Sequence, residues 1–373
     1  MRIGIITDET DRELAGLGTY TYNIVKNILQ QDRENDYFLI HRKKEKHDIY
    51  SMAKEIILPS GPFPLSTMRN FVTLPLKLRK YDLDIIHHTS SIGPFVSKHF
   101  MPKKGKTIET IHDIIPLIYP ENFELPVRIS FKYLLPRIVK NADRLLAVSE
   151  HSKNDIIRRF KIPPDKISVA YDGVDSTFKP LNKKKCKEKL EKYGIKDSFL
   201  LFVSTLEAKK NIPTALKAYA LLKQNGVKHK FVLVGKKGYG YGKIADTISE
   251  LELENDVIMP GYAPLEELPL FYNAADAFVL PSLYEGFGIP AVEAMKCGCP
   301  VVASNAGALP EIVGKAGKLV NALDAKGYAS AIKEILENKK TAAEMKKKGL
   351  KNSERFSWKE SARRIIKVYE EMG

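Results

Sequence analysis

The chain has 373 residues, 44% hydrophobic and 28% charged, with a formal net charge of +15. That length leaves room for two domains of ordinary size, each with its own core. The balance is that of a soluble globular protein, and no apolar run reaches the length that would span a bilayer. The start, MRIGIITDE, has the pattern of a buried strand and not of a signal peptide, and the three cysteines fit a reducing compartment, so a cytoplasmic location is expected. Cys297-Gly-Cys299 lacks a second ligand pair and reads as packing. The excess of positive charge suits nucleic acid, an anionic membrane surface or phosphorylated small molecules. No nucleic-acid motif is visible and no aromatic row is interleaved with the basic residues, so nucleic acid is set aside. Lysine runs such as 183–192 and 339–348 read as solvated helix faces.

Taken in order, residues 2–7 form a first buried strand, then a polar loop, then a helix over about 19–30. Gly16-Leu17-Gly18 stands at that helix N-terminus, a place where phosphate can sit, although a lone Gly-x-Gly is weak evidence. Residues 61–80 mix Phe63, Leu65, Met68, Phe71, Leu74, Leu76 and Leu78 with Arg69, Lys77, Arg79 and Lys80. This stretch reads in two ways: a basic amphipathic segment lying on an anionic membrane, or a helix packing its apolar side on the domain. Asp82-Leu83-Asp84 leads directly into a strand over 85–87, and His87, His88 and His99 show no spacing that completes a metal site. The strand over 106–111 ends at His112-Asp113, beyond a strand carboxyl end where open α/β sheets bind ligands; a satisfied structural histidine is the competing reading. A helix over about 127–140, a strand over 145–148, Ser149 as an N-cap, a helix to about 160 and a strand over 167–170 complete the first half.

The same alternation then restarts, which implies a second parallel sheet wrapped by helices. Its first strand covers 199–203, with Lys209 and Lys210 beyond the carboxyl end. The loop GKKGYGYGK after the strand over 231–234 fails the P-loop pattern, because Lys243 is followed by Ile244, and reads as a mobile loop near the ligand. A strand over 257–259 leads to Gly261-Tyr262. The stretch 280–311, LPSLYEGFGIPAVEAMKCGCPVVASNAGALPE, is the richest. A strand over 277–280 runs into Gly286-Phe287-Gly288, and Pro290 opens a helix with Glu293 in its first turn. Glycines let the backbone approach a ligand, and the helix N-terminus offers N–H groups and partial positive charge. With Glu285 and Glu293 on either side, such a loop can hold an anionic head and a polyhydroxylated body, the two parts of a sugar nucleotide.

Glu285 and Glu293, enclosing GFGIPAV, with SNAGALPE after them, resemble the signature of the retaining GT-B glycosyltransferases of family 4. The resemblance implies an α/β fold of GT-B type: two Rossmann-like doubly wound parallel-sheet domains facing each other across a cleft. The expected divisions are an acceptor-side domain over 1–172, a nucleotide-sugar-binding domain over 173–355, and a terminal helix over 356–373 that crosses back. Tyr171-Asp172-Gly173-Val174-Asp175 resembles the family's NGVD turn between domains, with Asp172 in place of the usual Asn. His112, Lys210 and Glu285 are the implied catalytic residues. Substrate contacts are implied for Gly16, Gly18, Asp113, Thr205, Lys209, Tyr262, Phe287, Gly288, Ile289 and Glu293. Many members carry an arginine where this chain has Thr205, and Lys209 replaces another, so a point charge stands where a bidentate fork is common.

The implied reaction is transfer of a hexose from a nucleotide sugar, with retention and without metal or other cofactor, by a protein that is cytoplasmic or peripheral at the inner membrane face. LEAKKN, LYEGFGIP and NAGALPE look most like mannosyltransferases of surface-polysaccharide assembly, which favours GDP-mannose over a UDP-hexose. A saccharide or lipid-linked acceptor is expected. A sugar-nucleotide epimerase, a phosphorylase or a non-catalytic binding subunit could share the architecture.

Overall fold

Short apolar runs bounded by polar turns build strands buried on both faces, and helices between them force parallel pairing. The computed structural model describes residues 1–11, 16–44, 47–59, 69–97 and 104–373, which divide into two units. The first unit comprises Met1–Pro120, Leu125–Gly173 and Ser357–Gly373, and the second Glu121–Glu124 and Val174–Phe356.

The first unit holds strands β1 (Arg2–Ile6), β2 (Asp36–His41), β3 (Lys54–Ile57), β4 (Ile85–His88), β5 (Lys106–Ile111), β6 (Arg144–Ala147) and β7 (Ile167–Val169), in the order β3-β2-β1-β4-β5-β6-β7. All are paired in parallel. Strand order reverses between β1 and β4, so the loops after these strands diverge and leave a crevice at their carboxyl ends. The Asp-x-Asp pair serves the lead-in to the sheet: Asp84 Oδ2 accepts from the Arg2 amide at 2.7 Å, and Asp82 lies 3.9 Å from the Arg2 guanidinium.

The terminal helix Trp358–Met372 packs beside Leu17–Gln31. Tyr369 on it meets His87 Nδ1 at 2.7 Å, while His87 Nε2 meets Thr110 Oγ1 at 2.9 Å. Burial pushes this imidazole down to about 3, so His87 is a neutral strut inside the sheet. Gly173 lies against the backbone of Ser357 and Trp358 so closely that a Cβ would stand 2.1 Å from the Trp358 nitrogen.

The described part of the 61–80 stretch corrects one expectation, while residues 61–68 and His99 lie outside the described residues. Arg69 is not a surface cation: it is 2% exposed, and its guanidinium holds Asp8 in a bidentate pair and donates from Nε to Leu58 O at 2.8 Å. Leu74 and Leu78 are buried in the core of the unit. Here the apolar side packs inward.

The second unit repeats the scheme with β8 (Phe199–Val203), β9 (Lys230–Val234), β10 (Val257–Gly261), β11 (Ala277–Leu280), β12 (Val301–Ser304) and β13 (Lys318–Val320). Their order is β10-β9-β8-β11-β12-β13, so the reversal falls between β8 and β11. The loop after β9 is not loose. It is laced to the loop after β8 by Leu206 N to Lys236 O, Gly238 N to Leu206 O and Ala208 N to Tyr239 O, at 2.8, 3.0 and 2.8 Å.

Asp172 is buried beside the point where the chain leaves the first unit, and its Oδ1 has no hydrogen-bond partner. Burial holds its carboxyl well above the ordinary value. The folded chain therefore keeps a proton that the unfolded chain releases, and stability falls as pH rises above the unfolded value. An Asp172→Asn variant is expected to unfold at a higher temperature than the parent at about pH 8 and to lose that advantage toward about pH 4. Parallel curves of melting temperature against pH for the two proteins would contradict this assignment.

Candidate active site

The reversal between β8 and β11 brings together residues that lie 75 apart in sequence. After β8 the chain makes a single turn, Ala208–Lys210, and ends it at Asn211 with φ 53°. Asparagine tolerates this left-handed conformation better than most residues. Asn211 Nδ2 donates to Pro281 O and Ala322 O at 3.1 and 2.6 Å, and its Oδ1 accepts from Thr214 at 2.9 Å. The Leu283 amide donates to Lys209 O at 2.9 Å, so the two loops are stitched through their backbones.

This arrangement sets Lys210 Nζ 2.7 Å from Glu285 Oε1, with both side chains buried. Ser282 Oγ donates to the same oxygen at 2.6 Å. Burial pushes the Glu285 carboxyl up, but the Lys210 charge and the two hydrogen bonds outweigh it and hold the group below its ordinary value. Gly307 packs against the Glu285 backbone, where a Cβ would stand 2.5 Å from Glu285 O; its φ of 58° also suits glycine. The Ala308 amide donates to that same Glu285 carbonyl at 2.9 Å.

Gly288, with φ 100°, caps the helix Ile289–Lys296. Glu293 lies beyond the first turn of this helix and not within it, because the helix starts at Ile289 with no acidic residue in its opening turn. It is therefore placed by packing rather than by the helix dipole. It is buried, and its Oε2 accepts from Tyr272 OH at 2.7 Å. Burial raises its carboxyl to about 7, with the Tyr272 bond pulling the other way. Phe287 is buried edge-on against Phe356, with ring centroids 5.4 Å apart, and Ile289 is half-buried.

The other expected residues of this unit make separate contacts. Lys209 lies 3.3 Å from Glu207 and over the Phe123 ring at 5.4 Å, near enough to Glu285 to help lower it. Thr205 is exposed, and a Cβ on Gly238 would come within 2.7 Å of its methyl. Tyr262 is exposed with the Lys236 ammonium 4.5 Å from its ring centre.

In the first unit, Gly16 has φ 51° and caps Leu17–Gln31, with open space where a Cβ would stand, and Gly18 is buried in the first turn. His112 is fixed from three sides. Its Nε2 donates to Thr89 O at 2.9 Å, its amide donates to Ser91 Oγ at 3.2 Å, and its carbonyl accepts from Ser152 Oγ at 3.1 Å. A carbonyl only accepts, so the proton resides on Nε2 and Nδ1 is the acceptor. Burial keeps the imidazole below its ordinary value, hence neutral at pH 7. Asp113 Oδ1 accepts from the Ile115 amide at 3.0 Å and shapes the turn after β5. Among the described residues, no three His, Cys, Asp or Glu side chains gather as metal ligands.

Sequence reasoning missed Ser282, Tyr272 and Asn211. Tyr272 is 21 residues from Glu293 on a different helix, and no local pattern links them. Asn211 did carry a signal: an asparagine closing a short turn before Pro213 is a fitting left-handed stop.

The sequence matches the Glycosyl transferases group 1 family over residues 183–352 and Glycosyltransferase Family 4 over residues 14–178. It is 32% identical to O-antigen chain mannosyltransferase B of Escherichia coli, across 99% of each chain. Among solved structures it resembles sucrose-phosphate synthase from Thermosynechococcus elongatus, with a TM-score of 0.81 and 22% identity over 100% of this chain and 98% of that one. It also resembles Anabaena HepE in complex with UDP and glucose, with a TM-score of 0.79 and 20% identity over 100% of both chains. The chain belongs to the group 1, family 4 glycosyltransferases and has their GT-B fold.

Removing one member of a buried ion pair strands the other. Lys210→Met is expected to destabilise the protein by about 3–5 kcal/mol in denaturant unfolding. Lys210→Met combined with Glu285→Gln should regain a large part of that loss, because no uncompensated charge remains. A double variant as unstable as the sum of the singles would show that the pair is not coupled.

Proposed function

We propose that this glycosyltransferase moves mannose from GDP-mannose to a saccharide or lipid-linked acceptor in glycan assembly, with retention at the anomeric carbon and without a metal. The observation that carries the reading is the buried Lys210–Glu285 pair at the carboxyl ends of β8 and β11. The likeness to an O-antigen chain mannosyltransferase supports mannose, and the solved complex of HepE with UDP and glucose supports a nucleotide-sugar donor and keeps UDP-hexose as the alternative.

An ammonium has three N–H donors, and one goes to Glu285. In this reading the others meet the donor diphosphate as the bond from the anomeric carbon to its phosphate oxygen breaks. Lysine then supplies the charge that a metal ion supplies elsewhere. Glu285 and the backbone at Phe287–Gly288 hold the sugar hydroxyls, and Glu293 accepts from the ribose hydroxyls. The acceptor oxygen bonds to the anomeric carbon on the departing face, and its proton passes to the leaving phosphate. His112 of the first unit, neutral with Nδ1 as acceptor, is in the form that accepts from a hydroxyl group.

The reading predicts stabilisation of the purified protein by one nucleotide among GDP, UDP and ADP. A ligand at about a hundred times its dissociation constant adds about 2.7 kcal/mol, readable as a shift in melting temperature. Lys210→Ala and Glu293→Ala should each lower transfer by about a hundredfold or more. Unchanged nucleotide shift and turnover in both would remove the assignment.

Glu293 adds a pH signature. Its carboxyl titrates about 7, and the charged form is the better acceptor for two hydroxyls. Donor affinity should therefore strengthen as pH rises through about 7. Tyr272→Phe removes the bond that lowers this value, so the same limb should move to higher pH with KM rising more than kcat falls. A pH profile of kcat/KM identical in parent and variant would exclude Glu293 as the titrating group.

A further inference from the structure

Strands β4 and β5 place His88 and Glu109 side by side in register, and both are buried. His88 Nδ1 lies 2.6 Å from Ser90 O and 3.0 Å from Glu109 Oε1. A carbonyl only accepts, so Nδ1 carries a proton and shares it between the two oxygens. Glu109 Oε1 also accepts from the Gly93 amide at 2.8 Å. Glu109 Oε2 is buried and has no hydrogen-bond partner among the described residues. A pair kept for stability would satisfy both oxygens, and a buried ion pair is a weak source of stability in any case. The carboxylate instead turns its one bonded oxygen to His88, the last residue of β4, and to the loop that follows it.

That loop is also what grips His112. Thr89 O accepts from His112 Nε2 at 2.9 Å, and Ser91 Oγ accepts from the His112 amide at 3.2 Å. Ser90, whose carbonyl is tied to His88, stands between these two contacts in the chain. Gly93 lets the loop close down on the pair: a Cβ there would stand 2.3 Å from Glu109 Oε2 and 2.5 Å from His88 Nδ1. Farther along, Asn141 Nδ2 donates to Phe95 O and Val96 O at 3.1 and 2.8 Å. Glu109 lies three residues before His112 on the same stretch of chain, so β5 carries both the histidine and the anchor of the loop that orients it.

We propose that Glu109 and His88 are positioning residues for His112, acting through the loop after β4. A neutral imidazole can carry its proton on either nitrogen, and the hydrogen bond made by one nitrogen decides what the other offers. Here Thr89 O takes the proton on Nε2 and leaves Nδ1 as the acceptor, but a backbone carbonyl can do so only while the loop is held in place. The Glu109–His88 pair holds it, from Ser90 O on one side and the Gly93 amide on the other. Loss of the pair frees the loop, and with it the tautomer and the ring orientation of His112. For its effect on transfer the inference rests on the reading above that His112 serves the reaction. Its effect on the imidazole itself does not.

The test combines nitrogen-15 NMR of the histidine-labelled full chain with turnover. The His112 signal, assigned by its loss in His112→Ala, should show the proton on Nε2 in the parent. Glu109→Leu removes the anchor, and Gly93→Ala displaces the loop without removing a charge; both should mix the two tautomers and lower kcat by about tenfold or more. His88→Asn keeps an N–H donor near the place of Nδ1 and should hold the parent tautomer, with kcat within about threefold of the parent. A shift in melting temperature with nucleotide in each variant shows that the second unit is folded. Added to His112→Ala, Glu109→Leu should cost no further turnover, because the two act in series. A parent-like His112 signal in both Glu109→Leu and Gly93→Ala would overturn the proposal, as would a further tenfold loss in the double variant. If His112→Ala turns over like the parent while Glu109→Leu still mixes the tautomers, the positioning stands and the role of His112 in transfer falls.

Discussion

The second unit is organised by one buried ion pair. Two charges removed from water repay their desolvation only when the geometry is close and the remaining lone pairs are satisfied. Lys210 and Glu285 meet at 2.7 Å, and Ser282 adds a hydrogen bond to the same carboxylate oxygen. Much of the surrounding structure serves to keep those atoms there. The strand order makes β8 and β11 neighbours, and Asn211 turns the chain and ties its loop to Pro281 and Ala322. Gly307 allows the next loop to close on the Glu285 backbone. Each device is a local cost, a positive φ or a lost side chain, accepted because it holds a charge pair that would otherwise be an expense to the fold.

The two glutamates show how far environment separates identical groups. Both are buried, and burial raises both. Glu285 has an ammonium at hydrogen-bond distance and stays ionised. Glu293 has only a phenol, and a phenol stabilises a carboxylate much less than a full charge does, so it titrates about 7. One carboxylate is thus permanently charged, while the other changes charge within the range where a cell operates. Their spacing in sequence is the family signature, but the difference in their chemistry comes from Lys210 and Tyr272, which lie outside it.

The legibility of the chain follows from the range of the interactions. Strands such as 199–203, 106–111 and 277–280 were readable because a buried parallel strand is a local apolar run. Ser149 was readable as a cap, and its side chain accepts from the Ser152 amide at 3.0 Å. Family resemblance then picked out the glutamates and the lysine. What it could not supply was pairing across the sheet. Arg69 looked like a surface cation because Asp8, its partner, is 61 residues away. Glu293 looked like a first-turn residue because Pro290 suggested the helix start, whereas Gly288 and Ile289 set it one position earlier.

The two sheets share one topology, yet their switch points are chemically unlike. In the second unit the crevice keeps a lysine and a carboxylate as its central feature. In the first, the charges of Asp8 and Glu109 are settled internally. Asp8 is neutralised by the Arg69 fork and by Arg42 at 3.2 Å, and Glu109 is matched by His88 at 3.0 Å. At the β1/β4 crevice, Thr21 donates to Thr89 Oγ1 at 2.8 Å, Thr89 donates to Ile6 O at 3.0 Å, and His112 stands neutral beside them. These neutral groups offer hydrogen bonds, which suit hydroxyl groups, whereas the Lys210–Glu285 pair offers fixed charge, which suits phosphate. A duplicated scaffold need not mean duplicated chemistry, because the strand order decides only where a site lies. What the site does is set by a few side chains at the strand ends, and by whether their charges are spent on each other or held for a ligand.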